Sequence, residues 1–478
     1  MGKEIRLNAF DMNCVGHLSP GLWTHPRDHS ENYKDLNYWI DLAKILERGK
    51  FDGLFIADVL GVYDVFGGNG DAALRRCAQV PVNDPMLTIS AMAYATRHLG
   101  FGVTCNLSFE PPYTFARRMS TLDHLTNGRI GWNIVTGYLD SAARGSGLDA
   151  QSAHDLRYEI AEEYAEVTYK LWEGSWEDGA VVRDKKSQIY ARPDKVHTIK
   201  HRGKYYQIDA IHLCEPSPQR TPVLYQAGAS TRGRDFAAKH AECVFVSGPS
   251  PKVLAPIVAD IRRRAAAHGR DPKEILIFAL ITVIPGETET AAQDKFNEYR
   301  QYINLEGALA LFSGWTGIDF SQYSFEDPLR FIKNDALQSL VEAFTVRDPS
   351  RIWTVKEIAE YGGIGGPGPV IIGSPGNVVD QLQSWIEETD IDGFNLAYAV
   401  TPETFSDFAD LIVPEMQRRG VYKTEYQEGT LRDKLYGAGR SRLGSNHPAA
   451  LFRLASPSSG EHYENAPSLA HAGSSTSP

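Results

Sequence analysis

The sequence lacks the features that mark a membrane or exported protein. No apolar run reaches the roughly 18 residues that a membrane-spanning helix needs. The N-terminal stretch MGKEIRLNAF has no long apolar core of a signal peptide, and Arg6 stands where a myristoylation pattern requires Ser or Thr. These absences predict a cytoplasmic protein without a membrane partner.

Cysteine is scarce, and positive charge is in the minority. The five cysteines form no CxxC pair, which predicts free thiols in a reducing compartment and no zinc site. The 14 histidines form no ligand cluster, so no metal site is predicted. The chain contains 49 Lys and Arg and 60 Asp and Glu, so its net charge is −11. This negative charge argues against nucleic acid as a partner.

What the chain does contain is typical of a soluble globular protein. Hydrophobic residues make up 42% and charged residues 23% of the 478 residues. From about Gly437 the sequence turns rich in Ser, Gly, Pro, Ala and His and loses any sustained period. We therefore expect one folded domain over residues 1–436 and a disordered tail over 437–478.

Apolar runs alternate with amphipathic stretches along the folded part. The predicted strands are apolar on both faces, as expected for parallel strands covered by helices, and fall at 4–10, 51–58, 99–109, 129–137, 221–228, 242–248, 275–286 and 391–400. The predicted helices fall at 35–49, 85–98, 112–127, 153–173, 231–241, 250–268, 287–303 and 403–419. Eight such repeats predict an α/β fold of the (β/α)8 TIM-barrel type. A doubly wound sheet is the alternative, but GxGxxG is absent after the first strand.

Three long insertions interrupt this alternation, at about 59–84, 174–220 and 304–370. Connections of this length are uncommon in a compact domain unless they carry function, so we expect them to form binding walls or a lid, with 304–370 as the lid. The second contains a predicted hairpin. In a barrel the site is built by loops that follow the strands, so the chemistry is expected on that rim.

No standard catalytic motif is present: GxSxG, HExxH, the Walker A pattern and the kinase set are all missing. Polar side chains do occur where the barrel loops begin. His154 and Tyr158 share one helix face, and the small residues of QAGAS, ending at Ser230, precede a helix start that suits a phosphate. Each residue alone is also explained as a helix cap or a surface group, but their joint placement predicts a phosphorylated cofactor. The set is Asp58, Thr104, Asn133, His154, Tyr158 and Ser230.

Long ordered motifs then identify a family. The most specific are LNAFDMNCVGH (7–17), LERGKFDGLFIAD (46–58), ARRMSTLDHLTNGRIGWNIVTG (116–137), HDLRYEIAEEY (154–164), SPQRTPVLYQAGAS (217–230) and TEYQEGTLRD (424–433). Over about residues 4–435 the chain resembles the bacterial-luciferase-like flavin monooxygenases. The branch is that of the nitrilotriacetate, dibenzothiophene-sulfone and dimethyl-sulfide monooxygenases, and the match is strongest to the last group.

The resemblance implies a two-component monooxygenase. Its TIM barrel would bind reduced FMN non-covalently, a separate NADH-dependent flavin reductase would supply that FMN, and O₂ would be the co-substrate. The implied reaction is oxidative C–S cleavage of a dialkyl sulfide such as dimethyl sulfide to a thiol and an aldehyde, in a homodimer or homotetramer. Alternatives are an aminopolycarboxylate substrate, accepted by a rim with Arg27, Arg144 or Arg232, a deazaflavin-dependent dehydrogenase, and a flavin-binding protein without catalysis.

The resemblance also implies roles for the residues at the barrel loops. Ser230 would hold the phosphate, and His154 and Tyr158 would contact the phosphate and ribityl end. Asp58 and Thr104 would flank the flavin ring. Asn133, as the catalytic candidate, would lie beside its reactive face.

Four aromatic residues are candidates for the substrate pocket. Sulfone-cleaving relatives have a His where SGWTGID places Trp315, which argues against a sulfone substrate and favours a narrow pocket for small apolar ligands. The candidates are Phe10, Trp23, Phe312 and Trp315.

Overall fold

The protein is an eight-stranded parallel barrel. A computed structural model describes residues 3–228, 230–329, 342, 344 and 351–454. The barrel order is β1-β2-β3-β4-β9-β10-β11-β13, and pairing of β13 with β1 closes the circle. The strands are β1 (Arg6–Met12), β2 (Gly53–Ala57), β3 (Gly100–Asn106), β4 (Ile130–Val135), β5 (Val181–Asp184), β6 (Ile189–Ala191), β7 (Ile199–Arg202), β8 (Gln207–Ala210), β9 (Val223–Gln226), β10 (Cys243–Val246), β11 (Leu276–Pro285), β12 (Val370–Gly373) and β13 (Gly393–Ala397).

Helices cover the outside of the barrel. Side-chain caps set several of their starts, as where Asp35 accepts a hydrogen bond from the Asn37 amide. None of the helices in the described ranges is long and apolar enough to cross a membrane. They are α1 (Leu36–Arg48), α2 (Asp71–Arg76), α3 (Met86–Ala95), α4 (Pro112–Leu125), α5 (Asp140–Gly145), α6 (His154–Gly174), α7 (Thr231–His240), α8 (Pro251–Ala267), α9 (Glu289–Arg300), α10 (Leu305–Thr316), α11 (Val355–Gly362), α12 (Pro375–Thr389), α13 (Glu403–Asp407), α14 (Val413–Arg418) and α15 (Leu431–Tyr436), with a π-helical turn at Phe408–Ile412.

The structure confirms the predicted barrel and all eight predicted strands. One helix that covers the barrel, α12 (Pro375–Thr389), was not predicted. The predicted helix at 287–303 is α9, which packs on the extra strand β12, whereas α12 packs against α8 on the barrel wall. Both helices are amphipathic and both follow β11, so periodicity alone does not show which of them covers the barrel.

Aromatic side chains fill the amino-terminal half of the barrel. The rings of Tyr225 and Phe245 stack with centroids 5.5 Å apart, and Phe55 lies 4.2 Å from Phe245. Gly131 makes room for this plug, because a Cβ there would lie 2.4 Å from the Tyr225 ring. Helix α15 closes the same end with buried Leu431. The carboxyl-terminal mouth is therefore the end at which a site can form.

The insertions do not all lie at that mouth. Residues 59–84 follow β2 directly and so begin at the carboxyl end of a strand. Residues 304–370 follow α9 and reach the same mouth through α10, whose Trp315 lines the cavity. Residues 174–220 instead connect α6 to β9 and lie at the opposite end. This segment contains the predicted hairpin, β7–β8, and a second one, β5–β6. The expectation that it forms a wall of the site is wrong, because helix-to-strand loops of a barrel lie on the amino-terminal face.

The predicted boundary of the tail also needs correction. Leu443 and Phe452 are buried against the barrel, and His447 Nε2 donates a hydrogen bond to the His240 carbonyl at 2.8 Å. Arg442 forms an ion pair with Asp178 at 2.5 Å. The packed chain thus continues to residue 454, and residues 455–478 of the predicted tail lie outside the described ranges.

Candidate active site

A cavity of about 340 Å³ opens among the loops at the carboxyl ends of the strands. This volume is within the range of small-molecule sites. Strands β1 to β4 and β9 contribute to its wall together with α6 and α10. The cavity brings together all six polar residues that the sequence singled out, namely Asp58, Thr104, Asn133, His154, Tyr158 and Ser230.

One end of the cavity is built for an anion. Ser230 caps α7, where its Oγ accepts a hydrogen bond from the Gly233 amide at 3.0 Å, and it lies 3.2 Å from His154 Nε2. Amide groups at a helix start, together with the helix dipole, attract negative charge. Arg157, only 4% exposed, lines the same cavity and adds a buried guanidinium. A doubly charged phosphate fits this combination.

Arg157 was missed by the sequence reasoning. It lies between His154 and Tyr158 on α6, and the i, i+3 spacing from His154 was the available signal. Tyr158 packs against Phe236 with centroids 5.6 Å apart, and burial raises the pKa of its hydroxyl. It therefore stays protonated and can donate a hydrogen bond to a ligand.

The middle of the cavity presents a buried amide and a hydroxyl. Asn133 and Thr104 are paired across β3 and β4, and Asn133 Nδ2 donates to Thr104 Oγ1 at 2.9 Å. Asn133 Oδ1 is buried and has no hydrogen-bond partner among the described residues. Since an unpaired buried acceptor is costly, this oxygen is suited to an N–H group of a bound ligand.

Asp58 borders the same region at the end of β2. Burial, with the nearby Asp84 as a smaller cause, raises the pKa of its carboxyl to about 7. Near neutral pH the group therefore exists in both protonation states and can donate or accept a hydrogen bond.

The other end of the cavity is apolar and neutral. Phe10, Leu18, Leu280 and Trp315 contribute to its lining. His17 lies edge-on to Phe10 with centroids 4.5 Å apart, and burial lowers the pKa of His17 to about 3, so the ring is uncharged. A ligand bound here meets hydrocarbon and aromatic surface.

A network centred on Tyr63 holds this end together. Trp315 Nε1 donates to Tyr63 Oη at 3.0 Å, and the Tyr63 hydroxyl donates to Gln79 Oε1 at 2.9 Å. Tyr138 Oη lies 2.6 Å from Tyr63 Oη and must be the donor, since the Tyr63 proton is already directed to Gln79. Gln79 Nε2 donates to the His17 carbonyl at 2.8 Å. This Tyr63 network joins the loops after β1, β2 and β4 to helix α10.

Two predicted pocket residues lie elsewhere. Trp23 is half-buried in a short turn near the N-terminus and does not line the cavity. Phe312 lies behind Trp315, with centroids 5.4 Å apart. Phe10 and Trp315 are the two pocket candidates that the structure brings to the cavity.

The three arginines considered for an acidic substrate also lie away from the cavity lining. Arg27 is paired with Glu298 and Glu403. Arg144 and Arg232 are paired with Asp64 and Asp235. Within the described ranges, no group of three or more His, Cys, Asp or Glu side chains is placed to hold a metal ion.

The fold and the site define a TIM-barrel enzyme whose pocket joins an anion-binding end to a neutral apolar end. The family model for luciferase-like monooxygenases matches residues 17–392, and the chain belongs to this family. The resemblance expected from the motifs is thereby confirmed.

Relatives of known activity cover almost the whole chain. Dimethyl-sulfide monooxygenase of Hyphomicrobium sulfonivorans is 54% identical over 453 residues, which cover 95% of this chain and 94% of the relative. Long-chain alkane monooxygenase of Geobacillus thermodenitrificans is 51% identical over 456 residues, covering 95% and 99%. A crystal structure of riboflavin lyase with modified FMN and riboflavin superposes with a TM-score of 0.88 at 34% identity, covering 95% of this chain and 100% of that chain. This protein is accordingly a monooxygenase.

Proposed function

We propose that the protein is the oxygenating component of a two-component, FMN-dependent monooxygenase acting on a small dialkyl sulfide such as dimethyl sulfide. The observation that carries the proposal is one cavity that combines a group of residues suited to an anion with a neutral apolar pocket. We call the first group, Ser230, His154 and Arg157, the anion cradle. The anion cradle suits the phosphate of FMN, and the apolar pocket suits an uncharged sulfide. The sulfide-oxidising relative supports this substrate, and the riboflavin lyase structure, which contains modified FMN, supports the cofactor.

The residues present fit FMN. Ser230, His154 and Arg157 would hold the phosphate, with Tyr158 donating a hydrogen bond near it. Asn133 Oδ1 would accept a hydrogen bond from a ring N–H, since it has no partner among the described residues. Reduced FMN, when bound, supplies two electrons and the reaction with O₂. We expect a separate NADH-dependent reductase to provide it.

The substrate end offers no cation to a negatively charged substrate. An aminopolycarboxylate carries several negative charges, which would need cations to compensate their burial. Among the described lining residues the one permanent cation is Arg157, which lies one helical turn after His154 on α6. The hydroxyl protons of Tyr63 and Tyr138 are directed to acceptors within the Tyr63 network, so this wall would offer a sulfide no free hydroxyl donor from these two residues.

The chemical outcome follows from the balance of atoms. One oxygen atom of O₂ enters a methyl C–H bond of the sulfide and the other leaves as water with the two hydrogens from reduced FMN. The product CH₃SCH₂OH collapses to methanethiol and formaldehyde. The protein would position the methyl group and keep water away until this transfer is complete.

A long-chain alkane is the second candidate substrate. The alkane-oxidising relative is nearly as similar as the sulfide-oxidising one, and an apolar pocket suits either. The comparisons favour a monooxygenase over a deazaflavin-dependent dehydrogenase, since the sulfide-oxidising and alkane-oxidising relatives are both monooxygenases.

A coupled assay tests the proposal and separates the substrates. Purified protein, an NADH-dependent FMN reductase and FMN are incubated with dimethyl sulfide, hexadecane or nitrilotriacetate, and thiol, aldehyde, alcohol and NADH are quantified. We expect methanethiol and formaldehyde from the sulfide and no product from nitrilotriacetate. An alcohol from hexadecane without thiol from the sulfide would assign the alkane instead. No product from any of the three would contradict the proposed substrate class.

A further inference from the structure

A second cavity, of about 410 Å³, lies beside the cavity of the candidate active site. We call the first the side cavity and the second the main cavity. Exposed residues, among them Asp84 and Arg118, line the side cavity, so it reaches the surface. The two cavities share a wall, because several residues line both of them. These are Asp58, Val59, Leu60, Thr104 and Asn106.

Apolar side chains form much of the lining of the side cavity. They include Val59, Val62, Val80, Val82, Met86 and Phe109. The one cation among its described lining residues, Arg118, is paired with the Glu110 carboxylate. The Asp84 carboxylate accepts a hydrogen bond from the Met86 amide at 2.9 Å. With these charges occupied, the side cavity suits a small uncharged ligand better than an ion.

The shared wall lies at the middle of the main cavity and not at its apolar end. Thr104 belongs to this wall, and its Oγ1 accepts the hydrogen bond from Asn133 Nδ2 at 2.9 Å. Phe10 and Trp315, which line the apolar end, do not line the side cavity. The side cavity therefore leads to the region proposed for the flavin ring and not to the pocket proposed for the sulfide.

Bound FMN would close the direct way to this region. A ligand of the size of FMN has most of its surface buried in its pocket, and a main cavity of about 340 Å³ would retain little free space around it. Protein interiors contain few voids larger than a water molecule, so a reactant that arrives after the flavin needs a preformed route. In the proposed reaction O₂ is the reactant that must reach the flavin ring.

From this arrangement we infer that the side cavity is the route by which O₂ reaches the ring of bound reduced FMN. O₂ is small, uncharged and apolar, so it loses no hydrogen bonds to water when it enters a passage lined by valine, methionine and phenylalanine. The inference rests on the proposed function, because it requires a flavin in the main cavity.

Val82 is the position at which the side cavity can be filled. It lines the side cavity and packs in none of the hydrophobic clusters formed by the described residues. Val82→Trp should lower the second-order rate constant for reaction of bound reduced FMN with O₂ by about fivefold or more, because O₂ moves only through voids. Stopped-flow absorbance measures this rate constant, and the dissociation constant of FMN should stay unchanged.

Val182→Trp is the matched control for this variant. Val182 is 43% exposed on β5 at the opposite end of the barrel, so its replacement should keep the wild-type rate constant. A wild-type rate constant with O₂ in a folded Val82→Trp variant would overturn the inference. A fall in kcat/KM for the sulfide without a fall in the rate constant for O₂ would assign the route to the sulfide instead.

Methionine NMR of the FMN-free protein tests the route without a flavin. Labelling with ¹³C-methyl methionine reports on Met86, which lines the side cavity, and on Met92, which is buried on the same helix and lines neither cavity. Dissolved O₂ is paramagnetic and speeds the relaxation of nearby protons. We expect O₂ to raise the relaxation rate of the Met86 methyl about threefold more than that of Met92, and Val82→Trp to remove the difference.

The two possible failures are distinguishable. Equal effects of O₂ on Met86 and Met92 in the wild type would overturn the inference, whether or not the protein binds FMN. Failure of the protein to bind reduced FMN would instead contradict the proposed function.

Discussion

At the scale of single residues, charge decides which end of the cavity a ligand group can occupy. The anion cradle combines the capped start of α7 with the buried guanidinium of Arg157, which lines the same cavity. The opposite end is uncharged, because burial lowers the pKa of His17 to about 3. With the proposed cofactor, this division would direct the FMN phosphate to the Ser230 end, where the small residues of QAGAS precede a helix start.

Arg157→Met should weaken FMN binding about tenfold or more, since a buried charge-assisted contact to phosphate contributes about 1.5–3 kcal/mol. Titration by flavin fluorescence measures the dissociation constant. Arg192→Met, on the exposed hairpin at the other end of the barrel, is the matched control and should leave binding unchanged. Equal FMN dissociation constants for the two variants would show that Arg157 does not bind the phosphate.

Trp315→Ala should shift substrate preference from dimethyl sulfide toward dipropyl sulfide by about tenfold in the ratio of kcat/KM, because it opens the apolar end. Trp23→Ala removes a similar side chain that does not line the cavity and should leave the ratio unchanged. An equal ratio in the wild type and both variants would show that Trp315 does not limit substrate size.

Asp11, on β1, gives a pH-dependent prediction for stability. Burial raises the pKa of its carboxyl to about 8, well above the ordinary 3.8. Between pH 4 and pH 8 the folded state therefore binds a proton that the unfolded state has lost, and this makes stability fall as pH rises. Asp11→Asn removes the effect, so its gain in Tm should be larger at pH 8 than at pH 5. The exposed control Asp41→Asn should show no such difference, and equal shifts for Asp11→Asn at both pH values would refute the assignment.

The sequence could name residue types at this scale but not their neighbours. Ser230 and His154 were predictable because they stand at a strand end and a helix start. Trp23 and Trp315 look alike in sequence, and only the packed chain shows that one of them lines the cavity. The Tyr63 network joins residues 252 positions apart, Tyr63 and Trp315, so no local pattern indicates it.

At the scale of elements, α10 forms part of the wall of the site because it lies directly on Tyr63. A Cβ at Gly314 would lie 1.7 Å from the Tyr63 ring, so the helix approaches this closely only with glycine there. The Trp315 side chain is thereby brought within hydrogen-bond distance of the Tyr63 hydroxyl.

Gly314→Ala should displace α10 and lower kcat/KM for the sulfide by about tenfold or more, since a Cβ clash of this size cannot be absorbed without moving the helix or the ring. Gly145→Ala is the matched control, because its added Cβ meets no atom within 4 Å. Steady-state kinetics of both variants with the sulfide measure kcat/KM. Similar kcat/KM values in the two variants would show that α10 does not shape the site.

The strands were predictable because buried parallel strands are apolar on both faces, and this pattern does not depend on the length or sequence of the connecting loops. Two of the three errors at this scale have a common origin. The role of α12 and the end of the packed chain depend on contacts with distant segments, and the composition around Leu443 and Phe452 resembles a linker although both side chains are buried.

At the scale of the whole molecule, the two ends of the barrel differ: one is filled by packed side chains and the other contains the cavity. Aromatic residues and α15 close the amino-terminal end, and the loops at the other end surround one cavity with two chemically distinct halves. The family and the fold follow from long motifs, whereas the substrate depends on the shape of the apolar half and was not decided by sequence.

A single-turnover experiment without any reductase tests the central claim most directly. Photoreduced FMN is bound to the protein without oxygen and then mixed with O₂ and dimethyl sulfide. The account predicts close to one methanethiol and one formaldehyde for each reduced FMN, with little hydrogen peroxide. Oxidation of the FMN with release of hydrogen peroxide and no thiol, or failure of the protein to bind reduced FMN, would contradict it.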